Sequence, residues 1–378
     1  MTQTDHPVSS GTSRQTASAY AEAGVDVDAN DRLIPRYREL AREASRPEQV
    51  GGVGAFSGLF DLSAYERPVL AASTDGVGTK VMIASLAGRL EGVGRDLVNH
   101  CINDILCAGA APLFFLDYLA AHKLSEDDKV AVVSGIAAAC RESGVALLGG
   151  ETADMPDLYP SGHFDLAGTI VGVLKRGREV TGERIVPGDV VLGLPSNGLH
   201  TNGYSLARSV FGLRPQDGSW AERVSRVERV EPALGESLAD ALLRQHRSYW
   251  PELRNSLELI KGIAHITGGG IAGNLERVLP RGVNARLDSE AWTTAWRVPP
   301  IFDLIAQRGS ISAAEMYRVL NMGVGMAIVV AAADAASLLS EIPEAAQIGE
   351  IESGDSSVSG RVAIMTSDGE IERGIGVP

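Results

Sequence analysis

The sequence predicts an α+β protein made of two layered domains, and three observations carry that prediction. At 378 residues, 44% of them apolar and 22% charged, the chain is globular and long for a single core. Its first half alternates strand and helix imperfectly, with two helices in succession and two adjacent strands near its end, which favours an α+β layer over a doubly wound parallel sheet. The polar, basic stretch "KRGREVTGERIVPGD" then interrupts the pattern, after which strand, glycine loop and helix begin again. The expected division is a disordered tail over 1–19, a first domain over 20–178 and a second α+β domain over 179–378.

In the first domain, "NDRLIPRYRELAREAS" sets Leu33, Tyr37 and Leu40 at helical spacing, and the glycine-rich "RPEQVGGVGAFSGLFDL" ends that helix. A strand in "PVLAAS" closes at Thr74 and Asp75, the turn "DGVGTK" follows, and "KVMIASLA" is a short helix stopped at Gly88. "RDLVNHCINDILCAGA" places Leu97, Val98, Cys101, Ile102, Ile105 and Leu106 on one stripe, predicting an amphipathic helix that runs to Gly109. "LFFLDYL" reads as a strand. "SEDDKVAVVSGIAAACRESG" reads as a helix with Ser125 as N-cap, Asp128 completing a capping box and Gly144 as stop. "VALLGG" and "FDLAGTIVGVL" are the next strands. In the second domain "VVLGLPSNGLHTNGYSLARSVF" and "GIAHITGGGIAGNLERVL" each read as strand, loop, helix. "EMYRVLNMGVGMAIVVAAADAASLLSEI" and "RVAIMTS" add helix, strand, helix, strand.

A net charge of −14 argues against a general nucleic-acid binder, which needs an extended basic surface. Any phosphate ligand must be held locally, by backbone amides, a few placed cations or a divalent metal. Cys101, Cys107 and Cys140 lack zinc-site or disulfide spacing and read as reduced residues of a cytoplasmic protein. The first residues carry no apolar signal segment, and no apolar run is long enough to span a membrane.

Several stretches carry chemistry. "STDGVGTK" delivers Asp75 at a strand end, with Gly76 and Gly78 allowing close backbone approach and Lys80 opening a helix; it is either a phosphate and metal turn or an ordinary strand-to-helix turn. In the next helix Asn99, His100, Asn103 and Asp104 occupy interior positions that Asn and Asp disfavour, and Asp96, His100 and Asp104 share one face. That face has no Lys, Glu or Arg between Asp96 and Asp104, which favours ligand or metal contact over a solvated surface. With Glu151 of "LLGGETADMP", Asp75 and Asp104 make a candidate oxygen set for Mg²⁺, and Mg²⁺ implies a nucleotide. "SNGLHTNGYS" offers Ser196, Asn197, Gly198, His200, Thr201 and Asn202, and "HITGGG" offers His265, Gly268 and Gly269. Both loops suit a phosphate, with the histidines either structural or catalytic.

Taken together, "AGVDVDA", "GGVGAFSGLF", "STDGVGTK", "NHCINDILCAGAAPLFFLDY", "LLGGETADMPDLY", "LPSNGLHTNGYSLAR", "HITGGG" and "EMYRVLNMGVGM" resemble the phosphoribosylformylglycinamidine cyclo-ligase family, in order from about Tyr20 past Met326. The resemblance implies ATP-dependent closure of formylglycinamidine ribonucleotide to aminoimidazole ribonucleotide in purine biosynthesis, with ADP and phosphate released. In that reaction ATP phosphorylates the formyl oxygen and a nearby substrate nitrogen then attacks the carbon.

Carried onto this sequence, the resemblance places Asp75, Asp104 and Glu151 at Mg-ATP, with Lys80 and Asn103 beside it. It implies nucleotide contacts from Gly52, Gly54 and Ser57 in a flexible segment, from Thr74, Gly76, Gly78 and Thr79, and from Gly150 and Thr152. The second-domain loops face the cleft, making His200 and His265 candidates for proton handling or substrate-phosphate binding, with Lys80 the third candidate catalytic residue. A homodimer whose N-terminal sheets join is also implied. Ala55 and Met322 depart from the family pattern, where Gly and Cys are common, and neither touches the acidic set.

Overall fold

The computed structural model describes residues 27–52, 54–358, 360–367 and 369–372. The expected tail over 1–19 lies outside them. The first half is a four-stranded sheet of β1 (Pro68–Gly76), β2 (Ala111–His122), β3 (Ala146–Asp154) and β4 (His163–Lys175), in the order β1-β4-β2-β3. β4 runs antiparallel to both neighbours and β3 parallel to β2. Its helices are α1 (Val27–Glu43), α2 (Lys80–Ala87), α3 (Glu91–Leu106) and α4 (Glu126–Ser143).

Local signals explain these elements. α4 begins where the Ser125 hydroxyl accepts from the Asp128 amide and stops at Gly144, whose φ of 67° is the left-handed cap that glycine supplies without strain. α3 and α4 cross in near backbone contact because both carry glycine there: a methyl group built on Gly135 would lie 1.9 Å from the Glu91 carbonyl oxygen. β1 alternates exposed and half-buried side chains along its length, so one face of this sheet stays open.

The second half is a seven-stranded sheet of β5 (Val190–Pro195), β6 (Ile260–His265), β7 (Val283–Asp288), β8 (Val324–Val330), β9 (Ala346–Ser353), β10 (Val362–Thr366) and β11 (Gly369–Glu372). Its order is β6-β8-β5-β9-β7-β10-β11, antiparallel except between β7 and β10. Residues 176–189 link the two sheets. The halves share their cores: Ile83 and Leu86 of α2 pack with Leu199, Tyr204 and Phe302, and Leu106 of α3 with Leu192, Tyr249 and Met326.

Four differences from expectation are physical. α3 ends at Leu106 rather than Gly109. β3 continues through the two glycines to Asp154, so Glu151 lies within a strand rather than after it. Helices at Trp220–Val227 and Ile301–Gly309 appear in stretches left unassigned by periodicity. Strands β7 and β9 bury only three and two side chains respectively, too few apolar positions to announce a strand.

Candidate active site

Helix α3 turns its polar residues toward the second half, not toward water. Residues 244–249 have no regular structure, so their backbone groups need partners from elsewhere. α3 supplies them: Asp96 accepts from the His246 amide at 2.6 Å, Asn99 donates to the His246 carbonyl at 2.7 Å, and Asn103 donates to the Arg247 carbonyl at 2.8 Å while accepting from the Tyr249 amide at 2.9 Å. Asn103 is therefore committed to holding this segment.

Lys80 is equally committed. It is wholly buried, pairs with Asp96 at 2.6 Å, and donates to the carbonyls of His200 at 3.0 Å and Arg244 at 2.8 Å. Burial pushes Lys80 down and Asp96 up, and their mutual attraction opposes both shifts. The ammonium expected beside a nucleotide instead pins two loops of the second half.

Four histidines meet behind these anchors. His100 Nε2 lies 2.7 Å from Asp75 Oδ2 and 3.8 Å from Asp104 Oδ2, and His100 Nδ1 lies 2.5 Å from the Thr201 hydroxyl. Thr201 also reaches His246 Nδ1 at 3.3 Å, His246 Nε2 faces His265 Nε2 at 3.0 Å, and His265 Nδ1 lies 2.9 Å from Asp104 Oδ1. The result is a continuous polar chain from Asp75 to Asp104. Burial lowers His200, His246 and His265 below the usual histidine range. Burial, the largest single influence, would raise Asp75 and Asp104, but hydrogen bonds and charge attraction from His100 and His265, with the Gly76 amide on Asp75 and the Ser73 hydroxyl on Asp104, together hold both carboxyls below their ordinary value.

The loops after β5 and β6 close over this cluster. Ser196 donates to Asn321 at 2.8 Å, Asn197 to the Gln245 carbonyl at 2.8 Å, and the Gly198 carbonyl accepts from Asn321 at 2.9 Å. A methyl group on Gly268 would lie 3.2 Å from the Asn202 amide oxygen, so the two loops touch. The Asn202 amide nitrogen is buried without a partner among the described residues, while Gly268 and Gly269 are exposed beside it. Thr79 meets Ser205 at 3.4 Å, Gly78 takes a φ of 62°, and Gly76 donates its amide to Asp75.

The remaining expected residues are elsewhere. Gly52, Gly54, Ser57, Gly150, Glu151 and Thr152 line a separate cavity of about 1060 Å³, together with Tyr37, Arg38 and Asp117. Burial pushes the Asp117 carboxyl up to about 7. Asp75, Gly168, Asp117 and Gly150 form one cross-strand row, so Asp75 and Gly150 sit at opposite edges of the sheet, three strand spacings or about 14 Å apart. Glu151, one residue on, points to the opposite face, and Thr74 meets Thr169 at 2.7 Å on that open face. Asp75 and Asp104 are partly exposed carboxylates on two sides of His100 and offer the hard oxygen donors that a divalent cation prefers, but the donors that converge with Asp104 are those of His100 and His265 rather than Asp75; Glu151 does not join them within one chain.

Sequence reasoning missed His246 and Asp117. His246 lies in "RQHRSYW", which has no glycine loop to mark it, and Asp117 lies inside a strand of otherwise apolar appearance.

Comparison with known proteins is decisive. The chain matches the family described as AIR synthase related protein, N-terminal domain, over residues 59–174 and its C-terminal domain over residues 186–360. Phosphoribosylformylglycinamidine cyclo-ligase of Myxococcus xanthus (strain DK1622) is 47% identical over 345 residues, covering 89% of this chain and 96% of the relative. The chain belongs to the phosphoribosylformylglycinamidine cyclo-ligase family. The cyclo-ligase of Aromatoleum aromaticum is 46% identical, with 89% of this chain and 94% of the relative covered. Among solved structures, a hydrogenase maturation protein HypE in complex with ATP superposes with a TM-score of 0.62 at 18% identity, covering 94% of this chain and 97% of that one. Thiamine-monophosphate kinase from Stenotrophomonas maltophilia K279a gives 0.56 at 21%, covering 87% and 95%. At such identities these two share the fold of the cyclo-ligase family. No helix among the described residues is long and apolar enough to cross a membrane.

Proposed function

We propose that this chain closes the imidazole ring of aminoimidazole ribonucleotide from formylglycinamidine ribonucleotide, consuming ATP and releasing ADP and phosphate. The observation that carries the reading is the carboxylate and histidine chain from Asp75 to Asp104, roofed by the loops bearing Asn202 and Gly268. Phosphoryl transfer asks a protein chiefly for positioning and charge neutralisation. Asp75 and Asp104 would hold Mg²⁺, which when bound neutralises charge on the phosphates. The unpartnered Asn202 amide and the exposed backbone at Gly268 and Gly269 suit the ribonucleotide phosphate.

Ring closure then needs a proton taken from the attacking nitrogen. His265 presents its Nδ1 proton to Asp104, which leaves Nε2 basic and lets the carboxylate stabilise the cation that forms there. His246 continues the path. Phosphorylation makes the formyl oxygen a phosphate leaving group, so the carbon–oxygen bond breaks as the carbon–nitrogen bond forms. The glycine loop over the larger cavity suits exclusion of water from this intermediate.

We also propose a homodimer. The residues expected at the nucleotide fall in two groups at opposite edges of one sheet, and β1 leaves one of its own edges unpaired among the described residues, open to a second copy. A turnover assay with Mg-ATP and formylglycinamidine ribonucleotide tests the reaction: equimolar ADP and aromatic amine are expected. ADP released without the ribonucleotide, or ATP bound without turnover, overturns it.

A further inference from the structure

Three imidazoles far apart in sequence converge in the second half: His200 after β5, His246 in the segment anchored by α3, and His265 at the end of β6. Their donor nitrogens all lie within 4.8 Å of one another. None is more than 5% exposed. His246 Nε2 and His265 Nε2 face each other at 3.0 Å, a separation that demands a shared proton or a shared cation, and the Asn103 amide nitrogen lies 3.2 Å from His246 Nε2, a contact that an ion bound there would displace. On their far sides His265 Nδ1 is held by the Asp104 carboxylate and His246 Nδ1 by the Thr201 hydroxyl. That is how outer partners orient histidines that ligate a metal through Nε2.

His200 supplies the independent observation. At 1% exposure, neither of its ring nitrogens has a hydrogen-bond partner among the described residues, a condition that buried polar groups rarely tolerate. Its backbone adopts a φ of 61°, in the left-handed region disfavoured for a residue with a side chain. Its carbonyl is pinned by Lys80 and Tyr204. The loop is thus held in a costly conformation that leaves an unsatisfied imidazole stacked on His246, ring centroids 4.2 Å apart.

We infer that His200, His246 and His265 form a site for a borderline transition-metal ion, best fitted by Zn²⁺, with three imidazole ligands and a fourth position for water. Zinc–nitrogen bonds of about 2.0–2.1 Å place tetrahedral donors about 3.4 Å apart. The His246 and His265 nitrogens, 3.0 Å apart, need open only slightly to reach that spacing, and the His200 ring, which no hydrogen bond holds, turns about its side-chain bonds to bring its nitrogen in. Burial keeps the three rings neutral, the form that donates a lone pair. Mg²⁺ prefers oxygen donors and does not compete here. The ion would take the His265 lone pair used for proton handling, so Zn²⁺ inhibits turnover; this consequence alone rests on the cyclo-ligase reading.

The test uses full-length protein stripped with EDTA and then supplied with excess Mg²⁺. Zn²⁺ is titrated calorimetrically, and Co²⁺ is titrated while its visible absorption is followed. One ion per chain and the strong visible band of tetrahedral cobalt are expected. His246→Ala should weaken binding at least 100-fold, and Thr201→Val, which removes the hydroxyl that reaches His246 Nδ1 and His100 Nδ1 but none of the three ligand imidazoles, about 10–100-fold. A double variant removing the cross-strand pair His122 and His163 should bind as the parent does. Absence of a stoichiometric site, an octahedral cobalt spectrum, or unchanged affinity in His246→Ala overturns the inference. Should His246→Ala fail to fold, Thr201→Val and the parent's cobalt spectrum decide. Binding is read without turnover, so failure of the cyclo-ligase reaction is separately visible.

Discussion

The Lys80 ammonium has three acceptors and no solvent, so its contribution belongs to architecture rather than to a nucleotide phosphate. Lys80→Met leaves Asp96 buried and unpaired, and a loss of about 3–5 kcal/mol in unfolding free energy is expected by urea denaturation. Unchanged stability with abolished turnover would return Lys80 to the catalytic set. Asp117 offers a test with a defined sign. Its carboxyl is raised from 3.8 to about 7, so the native state binds that proton more tightly than the unfolded chain does. Its contribution is complete below about pH 3.8 and is lost as pH rises through 7. Asp117→Asn should therefore stabilise the protein at pH 8 and change little at pH 4. The ceiling is about 4 kcal/mol, from the size of that displacement. Equal effects at both pH values would show that Asp117 stays ionised. Sequence pattern alone marked Lys80 as ligand-facing because it sees a cation beside two glycines; it cannot see that helix α2 turns that side chain into the joint between the halves.

At the scale of elements, the crossing of α3 and α4 is set by Gly94 and Gly135, each of whose added methyl groups would meet backbone of the other helix. Backbone cannot swing aside as a side chain can. Gly135→Ala should cost about 1–3 kcal/mol by thermal or denaturant unfolding, and an unaltered midpoint would contradict the close crossing. The anomalous polar face of α3 was legible from Asn99, His100 and Asn103 in a helix interior, and so was its engagement with something other than water. Its target was not, because residues 244–249 have no periodicity and take their conformation from side chains far away in sequence, those of α3 together with Lys80 and Asn197. The same reasoning explains the strands: β8 buries all seven residues and announces itself, whereas β7 and β9 leave half or more of theirs unburied.

The whole molecule joins one sheet-and-helix half to another through shared cores, and its expected site residues separate into a histidine and carboxylate junction and a glycine-roofed cavity. If a homodimer combines one copy's cavity with the other's carboxylates, Glu151→Gln and Asp75→Asn, each inactive, should regain up to roughly a quarter of parental turnover after mixing and subunit exchange, since half the dimers are mixed and one of their two sites is intact. No regain would place both groups on one chain's nucleotide. Motif order was enough to read the family and the chemistry, but sequence carries no record of which loops meet across a sheet. The most direct measurement follows the formyl oxygen. With formylglycinamidine ribonucleotide labelled by ¹⁸O at the formyl group, the ring-closing reaction proposed here places the label in released phosphate, equimolar with ADP and the aromatic amine. Label recovered in water, or ADP formed while the formyl oxygen remains on the substrate, would contradict it.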